Sequence, residues 1–461
     1  MAKIIAEIAL ALMVVSVPLI IIRPHWVFYI FLFSTVFEEV FYSYIYAAGG
    51  LGASRTWSPA DFLSFWTLFA VLFVKKEQIF PSDTIKTCLF IVTILSVICL
   101  VQGFALNGVQ IALPDMRKLY FVPAMLFAAK YLTDVRRVNT FLKFSAILLI
   151  AMFTFHLMLR LRIITAPEEF KIAVGEAGVV TESRGELLLA PVLYFVLASM
   201  GIGRLAMRYG RKWFSFIMLL CGIMGVGLAE SRTLHGGIVV IGIASMVFVR
   251  GRIKTFILLG LVLLLVLWLG WIIGMETLFS RWQGQQRFKP DFWRMEEYSA
   301  IINSYKQQPY FLLTGRGLGA QHFIASSFSL TSTGMVSGYH SEFIEWLDAF
   351  GLIGLGCLLI IWIVSLYQSF ALLQSGVPLL MYCGATTFLV MSALFLHSIF
   401  SPSFMNVKGA ATLICFVVLI SNWREIYYNS YQSWCESDVD TDEEQMGDTD
   451  HLTGITQQAE P

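Results

Sequence analysis

Charge is what this sequence has least of. Only 14% of its 461 residues are charged against 57% that are hydrophobic, and the mean hydropathy is +0.73. A soluble domain carries about 25% charged residues, so this shortage excludes a water-soluble globular protein. The bases and acids also nearly cancel, 32 against 31, for a net charge of +1. No overall field is left to draw in nucleic acid or an acidic partner. Cysteine pairs are missing too. None of the seven cysteines forms a CxxC, and six of them (Cys88, Cys99, Cys221, Cys357, Cys383, Cys415) lie inside apolar runs. Neither a disulfide framework nor a zinc site is indicated; these thiols read as small buried hydrophobes. No internal repeat and no Gly/Ser-rich linker interrupts the chain, so one membrane domain is the simplest organisation. The first apolar run, Ile4 to Ile22, is not followed by a small-x-small cleavage site and is expected to stay as a span.

What the chain does have is hydrocarbon. A helix needs about 20 mostly apolar residues to cross about 30 Å of lipid, and about thirteen runs qualify or nearly do. They fall near 4–22, 26–46, 60–74, 84–104, 117–132, 138–158, 186–206, 213–230, 234–249, 255–273, 343–368, 376–398 and 409–422. Only helices satisfy their own backbone in lipid as isolated segments. The expected fold is therefore all-α, a polytopic bundle of about 12–13 spans. It divides into an N-terminal bundle over 1–273, a loop over 274–340, C-terminal helices over 341–422 and a tail over 423–461. That tail carries eight acids between Glu436 and Asp450 and no Lys or Arg after Arg424, and so reads as disordered.

Basic clusters at Lys75-Lys76, Arg136-Arg137, Arg204 to Lys212 and Arg250 to Lys254 thread to one side, which the positive-inside rule assigns to the cytoplasm. The long loop, and a shorter one around 160–185, then lie outside, and the tail lies inside. Against that trend the loop holds Arg281, Arg287, Lys289, Arg294, Lys306 and Arg316, as if something anionic were held there. Within it "DFWRMEEYSAIINSY" reads as an amphipathic helix, with Phe292, Met295 and Ile302 on one face for packing. Arg294 and Tyr298, four apart, share another face. Pro309 ends that helix, and "TGRGLG" follows. Gly315, Gly317 and Gly319 permit tight turns near a ligand, a weak sign of phosphate binding on its own. Two further arginines sit at expected outer mouths, Arg232 in "ESRT" and Arg184 in "TESRGELLL". Such arginines usually face protein or water and mark ligand paths, although an ordinary turn explains "ESRT" equally well.

The densest polar stretch is "GYHSEFIEWLDAFGLIG". His340 stands where the loop re-enters the membrane, and Glu342, Glu345 and Asp348 recur every three residues as one stripe. Phe343, Trp346 and Phe350 occupy other faces, where aromatics suit the membrane interface. The acids face protein partners, either pairing with the loop arginines or orienting the histidine.

Taken in order, "SRT" at a span, "RMEEYSAIINSYKQQP", "GRGLG" and "HSEFIEWLDAFGLIG" resemble the O-antigen ligase and O-antigen polymerase superfamily of bacterial membrane glycan transferases. Arg232 falls on that family's Ser-Arg position, Arg294 on its loop arginine and His340 on its histidine. Gly351 and Gly354 fall on its closing glycines. Tyr298 stands where tryptophan is usual and Ser341 where asparagine is common. The likeness runs over about residues 180 to 365.

It implies a helical fold of the GT-C type in the bacterial cytoplasmic membrane. There, at the outer face, a glycan passes from a polyprenyl diphosphate to an acceptor hydroxyl of a glycan, lipid core or protein, without metal, nucleotide or other cofactor. Arg232 and Arg294 would grip the diphosphate, and His340 would take the acceptor's proton. Arg184, Arg316, Tyr298, Glu342 and the three glycines would contact carrier or glycan. A multi-pass solute transporter and a non-catalytic scaffold of polysaccharide assembly are the competing readings.

Overall fold

The structure is a computed structural model. It describes residues 2–38, 40–41, 58–74, 83–161, 163–164, 190–229, 232–249, 251, 254, 260, 289–320, 322–323, 335–336, 341–401, 403–404 and 409–429. In chain order the helices are α1 (Ala2–Ile22), α2 (Pro24–Val36), α3 (Pro59–Phe73), α4 (Thr84–Asn107) and α5 (Val109–Asp115). A 3-10 turn (Met116–Leu119) leads to α6 (Phe121–Tyr131), α7 (Val135–Arg160), α8 (Leu193–Ala206), α9 (Lys212–Ala229) and α10 (Arg232–Ser245). Then come α11 (Lys289–Gln307), the short α12 (Phe311–Thr314), α13 (Glu342–Leu372), α14 (Pro378–Phe400) and α15 (Ala410–Ser421). The other regular element described is an antiparallel pair of two-residue strands, His322–Phe323 with Met335–Val336.

The all-α polytopic bundle expected from composition is what forms. Among the described residues α4, α7, α9, α13 and α14 are each long and apolar enough to cross a membrane. A sixth span exists if α15 and Trp423–Asn429, bent by 60°, count as one. Shorter apolar helices, α2, α3 and α8 among them, fill expected span positions. The expected span 255–273 apart from Gly260, the loop positions 274–288, 321, 324–334 and 337–340, and the tail from residue 430 lie outside the described residues.

Local chemistry sets several boundaries. Ser58 and Asp61 make a capping box at the start of α3, with Pro59 in its first turn. The carboxylate of Asp134 accepts the N–H of Arg136 and so caps α7. Between α8 and α9 small residues allow backbone contact: a Cβ on Gly222 would lie 2.5 Å from the Ala198 nitrogen. Such close approach is how helices associate where lipid offers no hydrophobic drive. The run expected as one span at 117–132 starts differently. The 3-10 turn takes its first residues, and α5, not foreseen, precedes it.

Polar contacts mark the two ends of the bundle. At one end Lys86 pairs with Glu425 at 2.8 Å, and Gln368 donates to Asp83 at 3.2 Å. At the same end Asn422 donates to the Leu132 carbonyl, 3.0 Å, where α6 stops. The basic residues Arg136 and Arg137 follow directly. At the opposite end α3 and α6 begin, α4 and α14 finish, and α13 begins. That second end holds the candidate site.

Candidate active site

Helix α11 brings the loop down onto the bundle. Ile301 and Tyr305, one helical turn apart, are buried and Tyr298 is half-buried, whereas Ile302 is 54% exposed. The packing face expected through Ile302 is thus displaced. It runs through 298, 301 and 305, spacings of three and four that keep positions in line on a helix. Position 294 lies on this same line, four residues before Tyr298. Phe292 and Met295 lie in the first half of α11, where the structure describes the backbone alone.

Asp348 receives this helix. The Tyr305 hydroxyl donates to the Leu347 carbonyl at 2.9 Å and approaches Asp348 Oδ1 at 3.3 Å. Burial, then the neighbouring Asp348 carboxylate, hold the Tyr305 phenol well above its ordinary range, so it stays a donor. Arg316 reaches the same carboxylate in a fork, Nε to Oδ1 at 3.0 Å and Nη2 to Oδ2 at 3.3 Å. Its backbone N–H donates to the Asp348 carbonyl at 2.7 Å. One acid therefore ties together α11, the glycine strap and α13.

The strap itself lies against protein. Gly315, Gly317 and Gly319 have φ of 78°, 83° and 73°, the left-handed region that glycine alone enters freely. A Cβ on Gly317 would sit 2.6 Å from the Gly103 nitrogen of α4, and one on Gly315 would strike the Ala349 carbonyl. Around them Leu318 N–H donates to the Cys99 carbonyl (3.2 Å), Asn107 to the Leu318 carbonyl (2.8 Å) and Gly319 N–H to Asp115 (3.0 Å). The close approach these glycines permit is to α4, α5 and α13. Gly351 makes the matching allowance from the other side. Its φ of 68° breaks α13, and a Cβ there would strike the Leu313 carbonyl of α12.

The three acids of α13 have three different partners. Glu342, fully buried, accepts the indole N–H of Trp346 at 2.5 Å and the backbone N–H groups of Ser403 and Phe404. Glu345 pairs with Lys118 at 2.8 Å, and Asp348 with Arg316. Trp346 and Phe350, expected at a membrane interface, are buried: Trp346 packs on Phe121 of α6, ring centroids 5.9 Å apart, and on Phe350 at 4.9 Å.

Lys118 and its neighbour Arg117 were not singled out from the sequence. Lys118 also reaches Asp115 at 3.2 Å and so links the strap's anchor to α13. Arg117 turns the other way, to Asp61 at 3.1 Å and Glu38 at 3.4 Å, and the Tyr120 hydroxyl donates to Asp61 at 2.6 Å. The signal for both was present: adjacent bases heading an apolar run at the base-poor end, the same reasoning that picked out Arg232.

Of the remaining candidates, Arg232 opens α10 and Arg294 lies in α11, both described by backbone alone. His340 and Arg184 lie outside the described residues; Ser341, the next residue after the histidine, is buried.

Fold and site together define an all-α polytopic membrane protein whose described loop helix and strap are tied to one end of the bundle through the buried Arg316–Asp348 pair. The sequence pattern of the O-antigen ligase family matches residues 216–359, from within α9 to the middle of α13. The resemblance to the O-antigen ligase and polymerase superfamily therefore holds over the stretch that contains Arg232, Arg294, the glycine strap and His340. The match indicates a ligase- or polymerase-type, glycosyltransferase-like function, with polysaccharide or lipid-linked substrates in a membrane setting. No curated protein matches the chain.

Proposed function

We propose that the protein transfers a glycan from a polyprenyl diphosphate to an acceptor hydroxyl at the outer face of the bacterial cytoplasmic membrane. The observation that carries this reading is the Asp348 lock. It fixes the helix bearing position 294 against the first turns of α13, which follow His340 directly. The helix whose sequence carries Arg294 and the helix that begins two residues after His340 thereby meet at one end of the bundle.

The chemistry follows from the residue types. The acceptor oxygen attacks the anomeric carbon, the bond from that carbon to the diphosphate oxygen breaks, and the carrier diphosphate leaves with the bonding pair. Arg294 and Arg232 neutralise the charge that develops there; guanidinium is always protonated and grips phosphate oxygens in a planar fork. His340 accepts the hydroxyl proton, a task suited to a group with an unperturbed pKa of about 6.5. The leaving carrier supplies the driving force, so the reading requires no cofactor. Arg316, paired to Asp348, and Glu342, taken up by backbone N–H groups, serve this site as structural members. Tyr298 and Arg184 remain proposed contacts for carrier or glycan.

A transporter would place its ionisable groups near the bilayer midplane. Here the ion pairs of Arg117, Lys118 and Arg316 gather at one end, which favours transfer. The test is to incubate the purified protein with a lipid-linked oligosaccharide and candidate acceptors. A ladder of lengthening products identifies a polymerase, and a single shift of the acceptor a ligase. Absence of product with every acceptor overturns the reading.

A further inference from the structure

The chain immediately after His340 is gripped from the far side by the end of α14. Ser341 Oγ donates to the Ser398 carbonyl at 3.4 Å. Glu342 accepts the backbone N–H of Ser403 and, at 3.0 Å, that of Phe404. The turn supplying those N–H groups is itself pinned from within. Ser398 Oγ donates to Ser403 Oγ at 3.2 Å, and Ser403 Oγ lies 3.0 Å from His397 Nδ1. One proton joins the Ser403 hydroxyl and His397 Nδ1, with the donor set by the ring's tautomer. The imidazole is held edge-to-face by Phe195 of α8, ring centroids 5.9 Å apart.

All five polar residues of this net are 5% exposed or less. A buried polar net is a demanding way to join two helices. Apolar side chains of the same volume stabilise such a contact as well or better, whereas a hydrogen-bonded net fixes one geometry. Both residues next after the histidine are tied into it. His397 and Ser403 also lie beyond the stretch that matches the O-antigen ligase family, so that match assigns them nothing.

We propose that His397 and Glu342 are positioning residues: through Ser403 they latch the start of α13 to the end of α14 and so fix where His340 stands. The inference rests on the proposed role of His340 as acceptor-side base. His397 touches no reacting atom; it acts through Ser403.

The test uses the full chain with a lipid-linked oligosaccharide donor and measures kcat and KM for H397A, H397N, E342Q and H340A. Misplacing a reacting group by about 1 Å costs on the order of a hundredfold in rate. H397A and E342Q are therefore expected to lose about tenfold to a hundredfold in kcat with donor KM unchanged. H397N, whose side-chain amide can accept from or donate to the Ser403 hydroxyl, recovers most of the loss. If H397A fails to fold, H397N and E342Q still carry the kcat-to-KM comparison. Wild-type kcat in H397A or E342Q overturns the latch. So does a loss in H397A that H397N shares and that follows thermal stability alone. Should H340A keep transferring, the reading of His340 itself fails; should H340A be dead while the other variants are unaffected, only the latch fails.

Discussion

Replacing Asp348 by alanine removes the acceptor of two Arg316 donors, at 3.0 and 3.3 Å, and leaves that guanidinium with 14% of its side chain exposed. Breaking a buried pair by deleting one partner costs about 3–5 kcal/mol, because the surviving charge loses its counter-ion. Loss of the Tyr305 contact at 3.3 Å adds little at that length, since the phenol keeps the Leu347 carbonyl. The expected destabilisation is thus about 3–5 kcal/mol, set by the arginine. Removing both partners has a different outcome: D348L combined with R316M strands no charge and is expected to recover most of the loss. The assay is the thermal midpoint of the purified protein in one detergent, for wild type, each single variant and the double. D348A matching wild type, or a double variant as damaged as the sum of the singles, refutes the lock. Because the lock also places α11, the double variant is expected to fold yet transfer glycan poorly.

Three further outcomes follow from the same end of the bundle. Lys118→Met removes the cation that Glu345 meets at 2.8 Å and Asp115 at 3.2 Å, leaving Asp115 the Gly319 N–H, and should destabilise by about 3–5 kcal/mol, read as a fall in thermal midpoint. Gly317→Ala needs a Cβ 2.6 Å from the Gly103 nitrogen at a φ of 83°; expression of folded protein should collapse, while Gly356→Ala, with open space around its Cβ, behaves as wild type. Tyr305 has its phenol raised from an ordinary value of 10.0, so the folded state holds the proton more tightly than the unfolded state. Its contribution is present below about pH 10 and is lost as pH rises further; Tyr305→Phe should flatten the alkaline fall in stability above about pH 10.

The helices were legible from the sequence because lipid leaves the backbone one solution, and runs of hydrocarbon announce it. Boundaries near 60–74, 213–230 and 343–368 differ little from α3, α9 and α13. The candidate site was legible in its residue types and less so in its pairings. The stripe of Glu342, Glu345 and Asp348 was read as one surface, yet partners arriving from three separate parts of the chain divide it. Those partners, Ser403, Lys118 and Arg316, are 61, 227 and 32 positions away along the chain. Periodicity reports which residues share a face and is silent on what meets them. The choice of Ile302 over Ile301 shows the same limit within one helix: adjacent isoleucines fit two faces equally until α13 selects one. Arg117 and Lys118 went unremarked because they open an apolar run, where charge is easily read as a boundary marker. The strap glycines were rightly seen as allowing close approach, but what approaches is α4 and α13 backbone.

The central claim is that an arginine of the loop helix and a histidine ahead of α13 carry out glycan transfer. Its most direct test is the initial rate with a defined lipid-linked oligosaccharide for wild type, R294A and H340A, each shown folded by an unchanged thermal midpoint. Losing one charge-stabilising donor costs about 100- to 1,000-fold, and losing a general base about 100- to 10,000-fold. Losses of that order in both variants are what the account predicts. Wild-type rates in either folded variant would contradict it.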